Sequence, residues 1–240
     1  MDIGKCFVHA WGLFRLDVGP LAVTALIAAV VVGVVRAVVG LSLDGVQGLG
    51  GLSFGLPGAG VGAALAFTLV VGVVTVLAYA WMYAVTLHMI LRRVHDDRPA
   101  EYADMRSFDQ IGAFAVAAVV LGVIIGIGFL LFVVPGLVFV TLWVFALPLI
   151  GDRRIGVGEA MSESRDMARR LGYMTTFVTW LVGAIVVGVV VGLLGVIPVV
   201  GFVIGLVAAP FAAAYVVSMY FQAQGQGARI DEVLARRARG

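Results

Sequence analysis

Long apolar runs alternate with short polar stretches along this chain. The runs are Val18–Gly40, Val61–Leu91, Ile111–Val134, Leu137–Ile150, Tyr173–Ile197 and Phe202–Phe221. Most are of span length and nearly free of charge, which is the pattern of transmembrane helices. The second run, 31 residues, outruns a hydrocarbon core of roughly 30 Å at about 1.5 Å per residue. It is therefore expected to tilt or to emerge from the membrane. The fourth run has only 14 residues, about 21 Å as a helix. That predicts a turn buried below the surface or a partly re-entrant hairpin. Breaks are expected at Pro135-Gly136, Pro148 and Pro198, because proline lacks an N–H and clashes with the preceding turn. Leu41–Gly60, rich in glycine, reads as an irregular exterior loop.

Outside the runs the period changes to three and four. Ile3, Cys6, Phe7, Ala10, Trp11 and Phe14 mark one face of an N-terminal helix, with Asp2, Lys5, His9 and Arg15 mostly elsewhere. A short helix of this kind fits the membrane interface or packs on a helical bundle. Val157, Ala160, Met161, Ser164, Ala168 and Leu171 form a weaker stripe on a helix over Val157–Leu171. Glu159, Glu163, Asp166 and Arg170 lie off that stripe, with Asp166 and Arg170 spaced for an ion pair. Residues 1–222 read as one membrane domain and 223–240 as a polar cytoplasmic tail.

The unit of surface helix, span, break and span recurs, which predicts a threefold pseudo-repeat over about 1–91, 102–150 and 157–221. VVPGLVFVTLWVFALP and VIPVVGFVIGLVAAP match as hairpins, their paired prolines 13 and 12 residues apart. IGKCFVHAWGLFR and VGEAMSESRDMAR match as surface helices.

Composition agrees with the pattern: of 240 residues 62% are hydrophobic and 12% charged, against about a quarter charged in soluble domains. A net charge of +2 gives no reason to expect nucleic acid. One cysteine excludes an internal disulfide and a cysteine metal cluster. With six spans, every Lys and Arg but Arg36, and every acid but Asp44, falls on one side. The positive-inside rule makes that side cytoplasmic, with both termini on it, as in a multi-pass protein of the cell membrane. Arg36 reads as a headgroup anchor near the outer end of its span, with Asp44 as a possible partner.

The Pro135-Gly136 break, the aromatic-rich span ending near Pro148, and then Asp152, Gly156, Glu159-Ala160, Ser164 and a basic tail carry a resemblance. Over about Phe132–Phe177 the chain resembles the glycerophosphoryl diester phosphodiesterase membrane-domain family and related six-helix membrane proteins. The resemblance implies a helical membrane domain without catalytic residues of its own. These 240 residues leave no room for the catalytic barrel fused to some members, so phosphodiesterase activity is not expected.

Candidate chemistry is sparse. The spans offer Thr24, Thr68, Thr75, Thr86, His88, Thr141 and Ser218, and such hydroxyls can bond their own helix carbonyls. His88 and His95 stand seven apart, about 10 Å of rise, too far for one metal ion. No nucleophile–base arrangement and no phosphate loop is legible, and no cofactor is expected. Gly122/Gly126, Gly188/Gly192 and Gly201/Gly205 are small-xxx-small pairs that suggest close helix packing. Trp81, Tyr83, Tyr173, Trp180, Tyr215 and Tyr220 suggest an interfacial aromatic layer. Arg153, Arg154, Arg169 and Arg170 are candidate contacts for anionic lipid, each worth about 1 kcal/mol near a charged leaflet.

These features predict an all-α polytopic bundle of about six spans as three hairpins, with cytoplasmic amphipathic helices. The expected function is a non-enzymatic membrane protein that binds lipids or partner proteins. The alternative is a transporter or channel for a neutral or amphiphilic cargo, suggested by broken helices and a repeat.

Overall fold

A computed structural model describes residues 1–49, 59–102, 111–194 and 198–238. Among them it is all helical, in the order α1 (Ile3–Leu16), α2 (Val18–Leu49), α3 (Ala59–Asp96), α4 (Ile111–Leu131) and α5 (Val133–Trp143). Then follow α6 (Ala146–Arg153), α7 (Val157–Leu171), α8 (Tyr173–Leu194), α9 (Pro198–Ala223) and α10 (Gly227–Ala238). Four segments are long and apolar enough to cross a membrane: Val18–Val35, Val71–Asp96, Val134–Arg153 and Tyr173–Leu194. Gly112–Gly128 and Val207–Ala223 are shorter apolar helices. The described ends of the expected exterior loop, 41–49 in α2 and 59–60 in α3, are helical. The side chains of Arg36 and Asp44, the segment around YADMRSF from 103 onward and the Gly201/Gly205 pair lie outside the described residues.

Two proline breaks fall upstream of their prolines. The α4–α5 break is at Phe132, whose extended backbone caps α5, so Pro135 and Gly136 sit in the first turns of α5. The α5–α6 break is at Val144-Phe145, with Pro148 inside α6. The residues just before Pro198 lie outside the described ones. The physical reason is common to both. First-turn N–H groups have no intrahelical acceptor, so a proline there loses nothing, while its ring clashes with the carbonyl four residues back. For Pro135 and Pro148 that residue is Leu131 and Val144, where regular helix stops.

The helices α2 and α3, α4 and α5, and α8 and α9 pack as sequential pairs, while α9 also packs on α1, α2 and α3. The core is concentrated at one end, among Leu87, Ile90, Leu91 and Val94 of α3, Phe114 of α4, Phe145 and Leu149 beside α6, and Met219 to Phe221 of α9. The other halves of the helices present bare Val and Ile, including Val73, Val76, Val123, Ile127, Ile185 and Val189. Water does not tolerate apolar surface that extensive, and lipid does.

Glycine packs where the small-xxx-small pattern did not point. Among the described residues a Cβ on Gly122, Gly126, Gly188 or Gly192 would meet nothing within 4 Å, so these glycines mark no close approach there. A Cβ on Gly183 would instead run into the Tyr215 ring, and one on Gly128 would lie 2.8 Å from the Phe139 ring and 3.0 Å from the Gly136 backbone. These are the sites where α8 meets α9 and α4 meets α5.

Candidate functional site: a polar layer and a basic cleft

Charged residues of α1, α3, α6, α7 and α10 gather at the well-packed end, where α9 adds the Tyr220 hydroxyl. Helix α1 starts at Asp2, whose carboxylate accepts from the Lys5 N–H at 3.1 Å. Its buried face is Cys6, His9, Ala10, Leu13 and Phe14. Phe7, Trp11 and Phe14 pack against Phe211 of α9, while Trp11 stays half exposed. The apolar stripe therefore seats α1 on the bundle. His9, expected on the polar back, is buried because α10 covers that side, and its Nε2 lies 2.8 Å from Asp231 Oδ1. The sequence read as a tail thus carries an amphipathic helix, α10, with Ile230 and Val233 buried.

Deeper in, Arg93 of α3 (2% exposed) faces Asp17 (8% exposed) at 3.5 Å. Asp17 also accepts from the Ala100 N–H at 3.2 Å. Asp152 at the end of α6 accepts a hydrogen bond from the Tyr220 hydroxyl at 2.5 Å and contacts His95 Nε2 at 2.7 Å. His95 therefore serves a carboxylate contributed by another helix, not its neighbours Asp96 and Asp97. No group of three or more metal-ligating side chains occurs among the described residues. Tyr220 and Tyr215 are buried, Tyr215 donating to Thr179 O at 2.7 Å, so they belong to the core and not to an interfacial belt. Thr24 and Thr141 do bond their own helix carbonyls, Leu21 O at 2.7 Å and Leu137 O at 2.8 Å.

Ser164 has a role that its place on the α7 stripe did not reveal. Its hydroxyl donates to Leu142 O at 2.8 Å and accepts from the Phe145 N–H at 3.2 Å. Both partners flank the α5–α6 break, so one buried side chain satisfies backbone groups that the break sets free.

The four candidate arginines separate. Arg153, at the end of α6, pairs with Glu163 of α7. Arg154 follows in the left-handed region (φ 56°), and its N–H closes α6 onto Ile150 O at 3.1 Å. Arg169 and Arg170 lie exposed in the last turn of α7, where cations suit the helix C-terminus. Arg170 and Asp166 do not pair, and Arg154, Arg169 and Arg170 make no ion pair among the described residues. Arg153, Glu163, Met167 and Arg170 line one cleft with Ala223, Gln224 and Gln226 from the end of α9, a volume of about 270 Å³. Residues 163, 167 and 170 share a face of α7 by their three- and four-residue spacing. The larger clefts are apolar; one of about 510 Å³ runs between α5 and α8 past Leu137, Thr141, Tyr173 and Phe177.

Fold and site together describe, among the described residues, an all-helical protein with four segments long and apolar enough to cross a membrane, a buried polar layer at one end, and exposed arginines beside it. No protein-family model, curated protein or solved structure matches the chain.

Proposed function

We propose that the protein is a multi-pass membrane protein whose polar end faces the cytoplasm and binds membrane lipids, or a partner protein at the membrane, without doing chemistry. In this reading the four span-length segments and the two shorter apolar helices all cross, as three hairpins, with both termini cytoplasmic. The packing of α2 with α3, α4 with α5 and α8 with α9 supports that arrangement.

One observation carries the binding assignment. At the polar end several acids are engaged inward, Asp17 by Arg93, Asp152 by His95 and Tyr220, Asp231 by His9 and Glu163 by Arg153. Arg154, Arg169 and Arg170 are left exposed beside apolar helices and, among the described residues, without carboxylate partners. Arginines so placed attract phosphate-bearing headgroups. The test is native mass spectrometry of protein released gently from its own membrane. Co-purifying phospholipid should fall sharply when Arg154, Arg169 and Arg170 are changed together to Gln. Undiminished lipid retention in that variant would remove the assignment.

A further inference from the structure

The cleft between α7 and the end of α9 differs from a plain basic patch. It holds two guanidinium groups, one carboxylate and two carboxamides, from Arg153, Arg170, Glu163, Gln224 and Gln226. Arg153 is half exposed and spends one nitrogen on Glu163, leaving further donors of its five-donor fork for another acceptor. Arg170 has no carboxylate partner among the described residues. The formal charge of the lining is therefore that of one surplus cation, with a carboxylate held beside it.

That charge suits a phosphodiester, which carries one negative charge. The dianion of a phosphomonoester would exceed it and meet the Glu163 carboxylate as well. A purely anionic ligand leaves Glu163 as a repulsive neighbour, whereas a ligand with an ammonium group beside its phosphodiester uses it. We propose that this cleft takes a zwitterionic phosphodiester of the phosphoethanolamine class. Arg170 and the free edge of Arg153 hold the phosphate, and Glu163 accepts hydrogen bonds from the primary ammonium. A trimethylammonium has no N–H to donate, so Glu163 discriminates phosphoethanolamine from phosphocholine. The same chemistry occurs in a membrane lipid and in its soluble deacylated form. The lipid is the favoured source because Arg170 lies at the end of α7, and Tyr173 and Met174, just past that end, line the apolar cleft between α5 and α8. This inference rests on the proposal of lipid binding and makes it specific.

The experiment uses the full chain in detergent, titrated with phosphatidylethanolamine, phosphatidylcholine and phosphatidylglycerol of matched acyl chains, and with soluble glycerophosphoethanolamine. Native mass spectrometry reads occupancy. Phosphatidylethanolamine should bind on the order of tenfold more tightly than phosphatidylcholine, the value of about one charge-assisted hydrogen bond. Glu163→Gln should abolish that preference while phosphatidylglycerol still binds. Arg170→Gln should weaken all three lipids, and it removes no ion pair among the described residues, so its melting temperature should match wild type. Equal binding of the ethanolamine and choline lipids, or an unchanged preference in Glu163→Gln, overturns the inference and leaves general lipid binding intact. No binding of any lipid removes both. Soluble glycerophosphoethanolamine that binds as tightly as the lipid, with the same dependence on Glu163, upholds the headgroup chemistry and rejects the membrane as its source.

Discussion

Replacing Ser164 by Ala should be among the most damaging conservative changes in the protein. The hydroxyl is fully buried and serves two groups at once, the Leu142 carbonyl and the Phe145 N–H. Alanine fills nearly the same volume, so packing changes little and the loss is one of hydrogen bonding. Leaving the buried Phe145 N–H bare costs about 1–3 kcal/mol, and the lost bond to Leu142 about 0.5–1.5 kcal/mol. The sum, about 2–4 kcal/mol, corresponds to roughly 5–15 °C in melting temperature for a chain of this size. The measurement is thermal unfolding in one detergent, followed by near-ultraviolet circular dichroism. Ser162→Ala is the control, since Ser162 is exposed on the same helix and its change should stay within about 0.5 kcal/mol. If Ser164→Ala melts with Ser162→Ala, the α5–α6 break is not held by this side chain and the reasoning is wrong.

Three further outcomes follow from other contacts. Gly183→Ala should destabilise by about 1–3 kcal/mol through overpacking against Tyr215; Gly122→Ala and Gly188→Ala, which meet open space, should be neutral or slightly stabilising, as the thermal melts of the three variants would show. Asp17→Asn leaves the Arg93 charge buried without its partner and should cost about 3–5 kcal/mol, with Asp17→Asn/Arg93→Met recovering part of it; a double variant no better than the single would remove the ion pair as the cause. Cys6 is buried, and burial pushes its thiol up to about 11, so near pH 8 roughly one thiolate in a thousand forms; a maleimide should label it only after unfolding, and rapid stoichiometric labelling of the folded protein would contradict its placement.

The parts of this fold that were legible in the sequence are those set by local pattern. Helix α7 runs over Val157–Leu171 as its spacing predicts, with Gly156 before it and Gly172, at φ 87°, after it. Tyr173 opens α8 as expected, because polarity changes abruptly there. The proline breaks were displaced because a proline marks where helix fails, and that failure lies a turn earlier in the chain. The polar layer was not legible. Asp17 meets Arg93, Asp152 meets His95 and Tyr220, and His9 meets Asp231, partners brought together only when separate helices pack. Glycine spacing failed for the same reason. A motif within one helix does not say which face meets a neighbour, and it was single glycines such as Gly183 that met one. Among the candidate arginines, only the packing of α6, α7 and α9 separates Arg153 and Arg170, in the cleft, from Arg154 and Arg169.

The central claim, that all six apolar stretches cross and the polar layer faces the cytoplasm, is tested most directly by mapping sidedness. In a Cys6→Ala background, single cysteines at Glu101, Ser162, Gln226 and Phe132 would be probed with a membrane-impermeant maleimide on intact cells. The account predicts that Phe132→Cys, at the α4–α5 break, is labelled from outside, and that the other three react only after permeabilisation. Labelling of Ser162→Cys or Gln226→Cys from outside, or of Phe132→Cys only after permeabilisation, would contradict it.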